Sequence, residues 1–343
     1  MKKSQVKLEL KNGITVICGV AGQGPRIGYI AGGPGSFYLQ GLSCLGDDYT
    51  FITCDHIWTY SKKRSFEEKN ILSITKEMIK ELDHLVIEAV KSHFNVTRID
   101  GFGFSAPGAL LFEEAKDYPD DFDMLIGTGV GLIKLDPSFT QTNQFFRSKA
   151  TRERQYTFEM YQQKYRELAE KKERDFASNK STLNFFDFKS ADKFENKPHK
   201  RFIAETIAII PKILFDYTSE KEAKNIILTH WKKNIFGDYI DKRMQEHFFN
   251  IIFPQINSLD NIIDLAKSGK KILLIFGDSD FITPLVSDIE KTIRLYPTIF
   301  LEVINNCGHM PYIEDFEQYQ NIVMKFVTQN ENLVKKDYYL KPS

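Results

Sequence analysis

Gly101-Phe102-Gly103-Phe104-Ser105-Ala106-Pro107-Gly108, followed at once by Ala109-Leu110-Leu111-Phe112, is the stretch on which the fold turns. Before it, Val96 to Phe102 has the length and apolar content of a buried strand, and after it the residues favour a helix. No spacer of loop composition separates the two, so the chain must pass from strand to helix at the serine itself. Such a turn holds its central residue in a strained, exposed position and tolerates only small neighbours. The serine hydroxyl then points into a cleft beyond the strand end. Pro107 stands where this pattern usually has glycine, but it falls in the first helical turn, whose N–H groups have no helical partner. The residue directly after the serine, Ala106, keeps its N–H.

Working outward, Val6 to Leu10 and Ile14 to Cys18 flank Lys11-Asn12-Gly13, which predicts a β-hairpin. Arg26 to Ala31 predicts a buried strand running into Gly32-Gly33-Pro34-Gly35, and Tyr49 to Cys54 predicts another. Residues 66–94 have helical spacing, with Ile71, Ile74, Met78, Leu82, Leu85 and Val86 on one face. Leu273 to Phe276 and Phe300 to Ile304 add two strands near the other end. This alternation predicts an α/β fold, a mostly parallel central sheet with helices on both faces. From about residue 137 to 253 the strand signals disappear, and Phe158, Tyr161, Tyr165 and Leu168 mark one face of a charged helix. The expected division is therefore a core of residues 1–136 and 256–343 with a helical cap of residues 137–255. Residues 176–200 read as a long loop, either a linker or a cover for the site.

The remaining strand ends carry matching chemistry. After Ile272 to Phe276 comes Gly277-Asp278-Ser279-Asp280-Phe281-Ile282-Thr283-Pro284, a turn with two carboxylates, of which Asp280 is the expected acid. After Phe300 to Ile304 comes Asn305-Asn306-Cys307-Gly308-His309-Met310-Pro311, which sets His309 in a loop. Serine, acid and histidine in that order suit acyl transfer, with Ser105 as nucleophile, His309 as base and Asp280 orienting the imidazole. The N–H groups of Ala106 and Gly33 are the expected oxyanion donors. His56 and His247 are read as structural residues, and Cys307 as a small buried one.

Composition narrows the alternatives. Lysine plus arginine and aspartate plus glutamate each number 46, and the sequence pI is about 7.1, which argues against a nucleic-acid binder. The N-terminus lacks an apolar stretch of signal-peptide length, and the most apolar window, Ile203 to Phe215, is broken by Glu205, Pro211 and Lys212. Neither secretion by that route nor a membrane span is expected. Four cysteines without a C-x-x-C pair disfavour a zinc site and a disulfide scaffold, and a reducing cytoplasm is the expected location. No metal or organic cofactor is called for. The expected partner is a small-molecule or short-peptide substrate, and the sequence does not determine an oligomeric state.

Taken together, the chain resembles the α/β-hydrolase superfamily, and within it the proline iminopeptidase group of serine aminopeptidases. That group's H-G-G-P-G appears as Ala31-Gly32-Gly33-Pro34-Gly35, its G-x-S-x-G-G as Gly103 to Gly108, its G-x-x-D-x-x-x-P as Gly277 to Pro284, and its G-H as Gly308-His309. Arg243-Met244-Gln245-Glu246-His247-Phe248-Phe249-Asn250 is similar to its R-x-E-N-H-Y-F, whose glutamate helps hold the substrate's amino group. The matching position here is the neutral Gln245, with Glu246 one residue later. The resemblance implies a Ser-His-Asp hydrolase, either an aminopeptidase or amidase on small peptides or, given Gln245 and the Phe-rich cap, a carboxylesterase or thioesterase. The departures at Ala31 and Pro107 leave a third reading, a hydrolase-like binding protein without turnover.

Overall fold

The computed structural model describes residues 1, 3–31, 41–54, 73–132, 140–163, 213–215 and 247–334. Two strands, β1 (Lys3–Glu9) and β2 (Thr15–Gly22), pair antiparallel across the expected turn, with Val6 opposite Cys18. They are followed by β3 (Arg26–Ile30), β4 (Tyr49–Cys54), helix α1 (Lys76–Phe94), β5 (Ile99–Phe104), helix α2 (Ser105–Asp117), and β6 (Phe122–Thr128). Next come α3 (Thr140–Lys149), a helical stretch at 152–163, and then α4 (Ser258–Lys267), β7 (Lys271–Gly277), α5 (Ser287–Ile293), β8 (Ile299–Ile304) and α6 (Phe316–Val334). The strands form one sheet in the order β1-β2-β4-β3-β5-β6-β7-β8. Every pairing from β4 to β8 is parallel, and β2 joins β4 antiparallel.

A parallel sheet covered on both faces needs strands that are apolar throughout, and β7 shows why. Ile272, Leu274 and Phe276 enter one apolar cluster with Val86 and Val90 of α1 and Leu110 and Phe112 of α2. The alternate residues Leu273 and Ile275 enter the opposite cluster with Tyr319, Val323 and Phe326 of α6. Helix α1 is capped at its start by the Thr75 side chain, which accepts from the Met78 N–H, and stops at Asn95 in the left-handed conformation. Its buried face is Ile79, Val86, Ile87 and Val90, so the expected stripe is rotated and Met78 is exposed. The left-handed stop at Asn95 also moves the start of β5 from Val96 to Ile99.

Two internal ties were not anticipated. Asp100 on β5 is fully buried and accepts from the Arg26 guanidinium at 2.6 Å, the Tyr49 hydroxyl at 2.8 Å and the Met124 N–H at 3.2 Å, linking four strands. Burial pushes its carboxyl above the ordinary value despite the Arg26 charge. Cys18 and Cys54 form a disulfide, contrary to the expectation from cysteine count. They are far apart in sequence, but the antiparallel pairing of β2 with β4 sets them directly opposite one another. Cys44 and Cys307 are free. Among the described residues no helix is long and apolar enough to cross a membrane.

Candidate active site

The expected elbow is present. β5 ends at Phe104, α2 begins at Ser105, and Ser105 has a φ of +56°, a region that non-glycine residues seldom occupy. Close packing explains the small neighbours, because a Cβ on Gly103 would run into the backbone of Gly108 where strand and helix meet. Pro107 lies in the first turn of α2, where no helical hydrogen bond is lost. Ala106 is buried directly behind the serine.

The C-terminal ends of β5, β7 and β8 lie at one sheet edge and bring three side chains together. The Ser105 hydroxyl is 3.0 Å from His309 Nε2, positioned to donate to it. On the other side of the ring, Nδ1–H donates to Asp280 Oδ2 at 2.9 Å. Asp280 and His309 are both buried, and the Phe104 ring lies 4.9 Å from the imidazole. Asp278, the other carboxylate of the turn, is exposed and accepts from the Cys307 N–H at 3.3 Å.

Asp280 is held by more than the histidine. Its Oδ1 accepts from the backbone N–H groups of Ile282 at 2.8 Å and Thr283 at 2.9 Å. The Thr283 hydroxyl is 2.7 Å from Asp280 Oδ2, 2.8 Å from the Gly129 carbonyl and 3.2 Å from His309 Nδ1. Burial alone would raise the carboxyl, but the facing imidazole and the Thr283 donors outweigh it and hold Asp280 below the ordinary carboxylate value. It is thus kept ionised, as a group that orients an imidazole and balances its charge must be.

The histidine loop is fixed from above. The His309 N–H donates to the Ile213 carbonyl at 2.6 Å, and Gly308 is needed because any side chain there would strike that same carbonyl. Glu314 fastens the junction, with Oε1 accepting from the Gly308 N–H at 3.0 Å and Oε2 from the Phe215 N–H at 2.6 Å. Burial raises the Glu314 carboxyl to about 7, against the pull of those N–H groups and of Arg154. Arg154 in turn donates to the Leu214 carbonyl and stacks over Phe215 and Phe281.

Thr283 and Glu314 were not singled out from sequence. Thr283 could have been found, since it sits in the acid-bearing turn three residues after Asp280, where a hydroxyl can reach back. Glu314 gives no such sign, because the contact that sets it apart is with the Phe215 N–H, far away in sequence. Burial pushes the Cys307 thiol far up, so it is a packed, unreactive residue. His247 donates to the Ile74 carbonyl at 2.7 Å and is likewise structural. The expected oxyanion donor Gly33, the cap residues Gln245 and Glu246, and His56 lie outside the described residues.

No protein-family model matches the sequence, and no curated protein does. Solved structures do match in shape. An alpha/beta fold family hydrolase from Bacillus anthracis str. Sterne superposes with a TM-score of 0.59 at 11% identity, over 94% of this chain and 99% of that one. A thermophilic esterase from Thermogutta terrifontis gives 0.56 at 15% identity, over 95% and 99%. A bromoperoxidase from Bacillus anthracis gives 0.56 at 14%, over 95% and 100%. At such identities the likeness is one of fold, and with the sheet order and the strand-to-helix turn at Ser105 it establishes that the chain has the α/β-hydrolase fold.

Proposed function

We propose that the chain is a serine hydrolase that works through an acyl-enzyme. The observation that carries this reading is the continuous hydrogen-bonded line from Ser105 through His309 to Asp280, with the serine in a left-handed turn. His309 takes the serine proton as Oγ attacks a carbonyl and returns it to the leaving group, and Asp280 stabilises the imidazolium formed in between. The Ala106 N–H, at the start of α2, is one oxyanion donor, and Gly33 is assigned as the other from its motif. Water then releases the acyl group by the same steps in reverse roles. Residues 1–136 and 256–343 are taken as the catalytic domain and 137–255 as the cap. In support, the described part of that insertion holds helix and no strand.

For the substrate we propose a short peptide or amino-acid amide, processed from its N-terminus as in the proline iminopeptidase group. The motif matches around Gly33, Ser105 and Asp280 favour it. A specific observation favours a second reading, an esterase or thioesterase. Gln245 is neutral, and the cap cation Arg154 stacks on Phe281 beside the acid, a poor neighbour for a substrate ammonium. A side-by-side assay on proline p-nitroanilide and p-nitrophenyl esters decides between them. Turnover of the anilide supports the aminopeptidase, and turnover of the esters alone supports the esterase. Turnover of neither, by folded protein, favours a binding protein.

A further inference from the structure

Away from the serine, on the side of the sheet where α1 packs on α2, the structure gathers an imidazole and three carboxylates, four of whose buried atoms make no hydrogen bond. His84 and Glu88 stand one turn apart on α1, Glu114 lies near the end of α2, and Asp121 closes the short 3-10 turn of Pro119–Asp121. His84 Nδ1 is 3.2 Å from Glu114 Oε1 and 3.6 Å from Asp121 Oδ2. One donor atom each from His84, Glu88 and Asp121 fall within 4.8 Å of one another. The Tyr118 ring stacks on His84 at 3.6 Å and fixes the plane of the imidazole.

What sets this cluster apart from a solvated acidic patch is its unsatisfied chemistry. The Glu114 side chain is only 2% exposed. Among the described residues, both of its oxygens, His84 Nδ1 and Asp121 Oδ2 are buried without a hydrogen bond. A buried carboxylate oxygen without a hydrogen bond is costly, and two of these oxygens, Glu114 Oε1 and Asp121 Oδ2, lie close to the same His84 nitrogen. Lys91 and Lys11 neutralise part of the charge, Lys91 engaging Asp121 Oδ1 and Glu88 Oε1 and Lys11 engaging Glu88 Oε2 at 3.3 Å, but neither engages Asp121 Oδ2 or Glu114. The spacing fits an ion. Donors about 2.1 Å from a tetrahedral zinc lie about 3.4 Å apart, between the two separations seen here.

We propose that His84, Glu88 and Asp121, with Glu114 as a fourth donor beside the imidazole, bind one divalent cation of the zinc class. The imidazole among the ligands favours such an ion over Ca²⁺ or Mg²⁺, which take oxygen donors. Its role is structural. Glu114 is nine residues along α2 from Ser105, about 14 Å at the helical rise, so the ion takes no part in acyl transfer. It ties α1 to the end of the helix that carries the serine. No cysteine is involved, so the lack of a C-x-x-C pair has no bearing on this site.

The test uses the full chain, free of any histidine tag and stripped with chelator, titrated with Zn²⁺ by calorimetry and by thermal unfolding. One equivalent of Zn²⁺ is expected to bind and to raise the Tm. His84→Gln and Glu114→Gln are each expected to weaken binding by at least about 100-fold, more than loss of an outer partner would. His93→Gln, at an exposed histidine on the same helix, leaves it unchanged. Tm values of the metal-free variants show that they fold. Absence of Zn²⁺ uptake by the wild type overturns the proposal and makes the cluster a protonated carboxyl facing an imidazole. Uptake that survives either substitution overturns it as well.

Discussion

Asp280 and Asp278 occupy the same turn, two residues apart, yet only one faces the histidine. Asp280 is buried, accepts from two backbone N–H groups and lies 2.9 Å from His309 Nδ1, whereas Asp278 is exposed. Asp280→Asn is therefore expected to lower turnover of the best reporter substrate by about 10⁴-fold, with Asp278→Asn nearly neutral. The same pair makes a pH prediction. A carboxyl held below its ordinary value stabilises the fold above the unfolded value of about 3.9, and that contribution is lost as pH falls through the lower folded value. The Tm advantage of wild type over Asp280→Asn should shrink as pH falls below about 4. A large kinetic loss in Asp278→Asn with little in Asp280→Asn would reassign the acid.

Among the elements, short uninterrupted apolar runs bounded by turn residues were the most legible. β3, β4, β7 and β8 are short apolar runs ending in glycine, cysteine or a turn, and each was expected within one or two residues of where it lies. β6 was missed because Phe122-Asp123-Met124-Leu125 follows α2 after only the turn of Pro119–Asp121, and Asp123 breaks its apolar pattern. The convergence of serine, acid and histidine was readable because each follows a strand end. The connection from the histidine loop to residues 213–215 was not, because it depends on Glu314 meeting the Phe215 N–H, far away in sequence. That connection can be probed by pH. Glu314 is raised to about 7, so its contribution to stability is full below the ordinary carboxylate value and lost as pH rises through about 7. Between pH 5 and 8 the wild type should lose Tm relative to Glu314→Gln. The variant itself should cost about 1–3 kcal/mol at pH 5, because an amide N–H₂ then faces a backbone N–H. A Tm difference that stays constant across that range would show that Glu314 does not titrate there.

For the molecule as a whole, the sheet explains why distant motifs form one site. Parallel strands β5, β7 and β8 deliver their C-terminal ends to a single edge, and α2 points its N-terminus at the same place. The cysteine count, in contrast, misled. Composition cannot reveal that β2 and β4 place Cys18 opposite Cys54. On the function proposed above, this architecture makes Ser105 an activated nucleophile. The most direct measurement is intact-protein mass spectrometry after reaction with a fluorophosphonate, with the adduct mapped by peptide analysis. A single adduct on Ser105 is predicted, absent in folded Ser105→Ala and strongly slowed in His309→Ala. Labelling of Ser105→Ala at the wild-type level, or a folded wild type that takes up no probe, would contradict it.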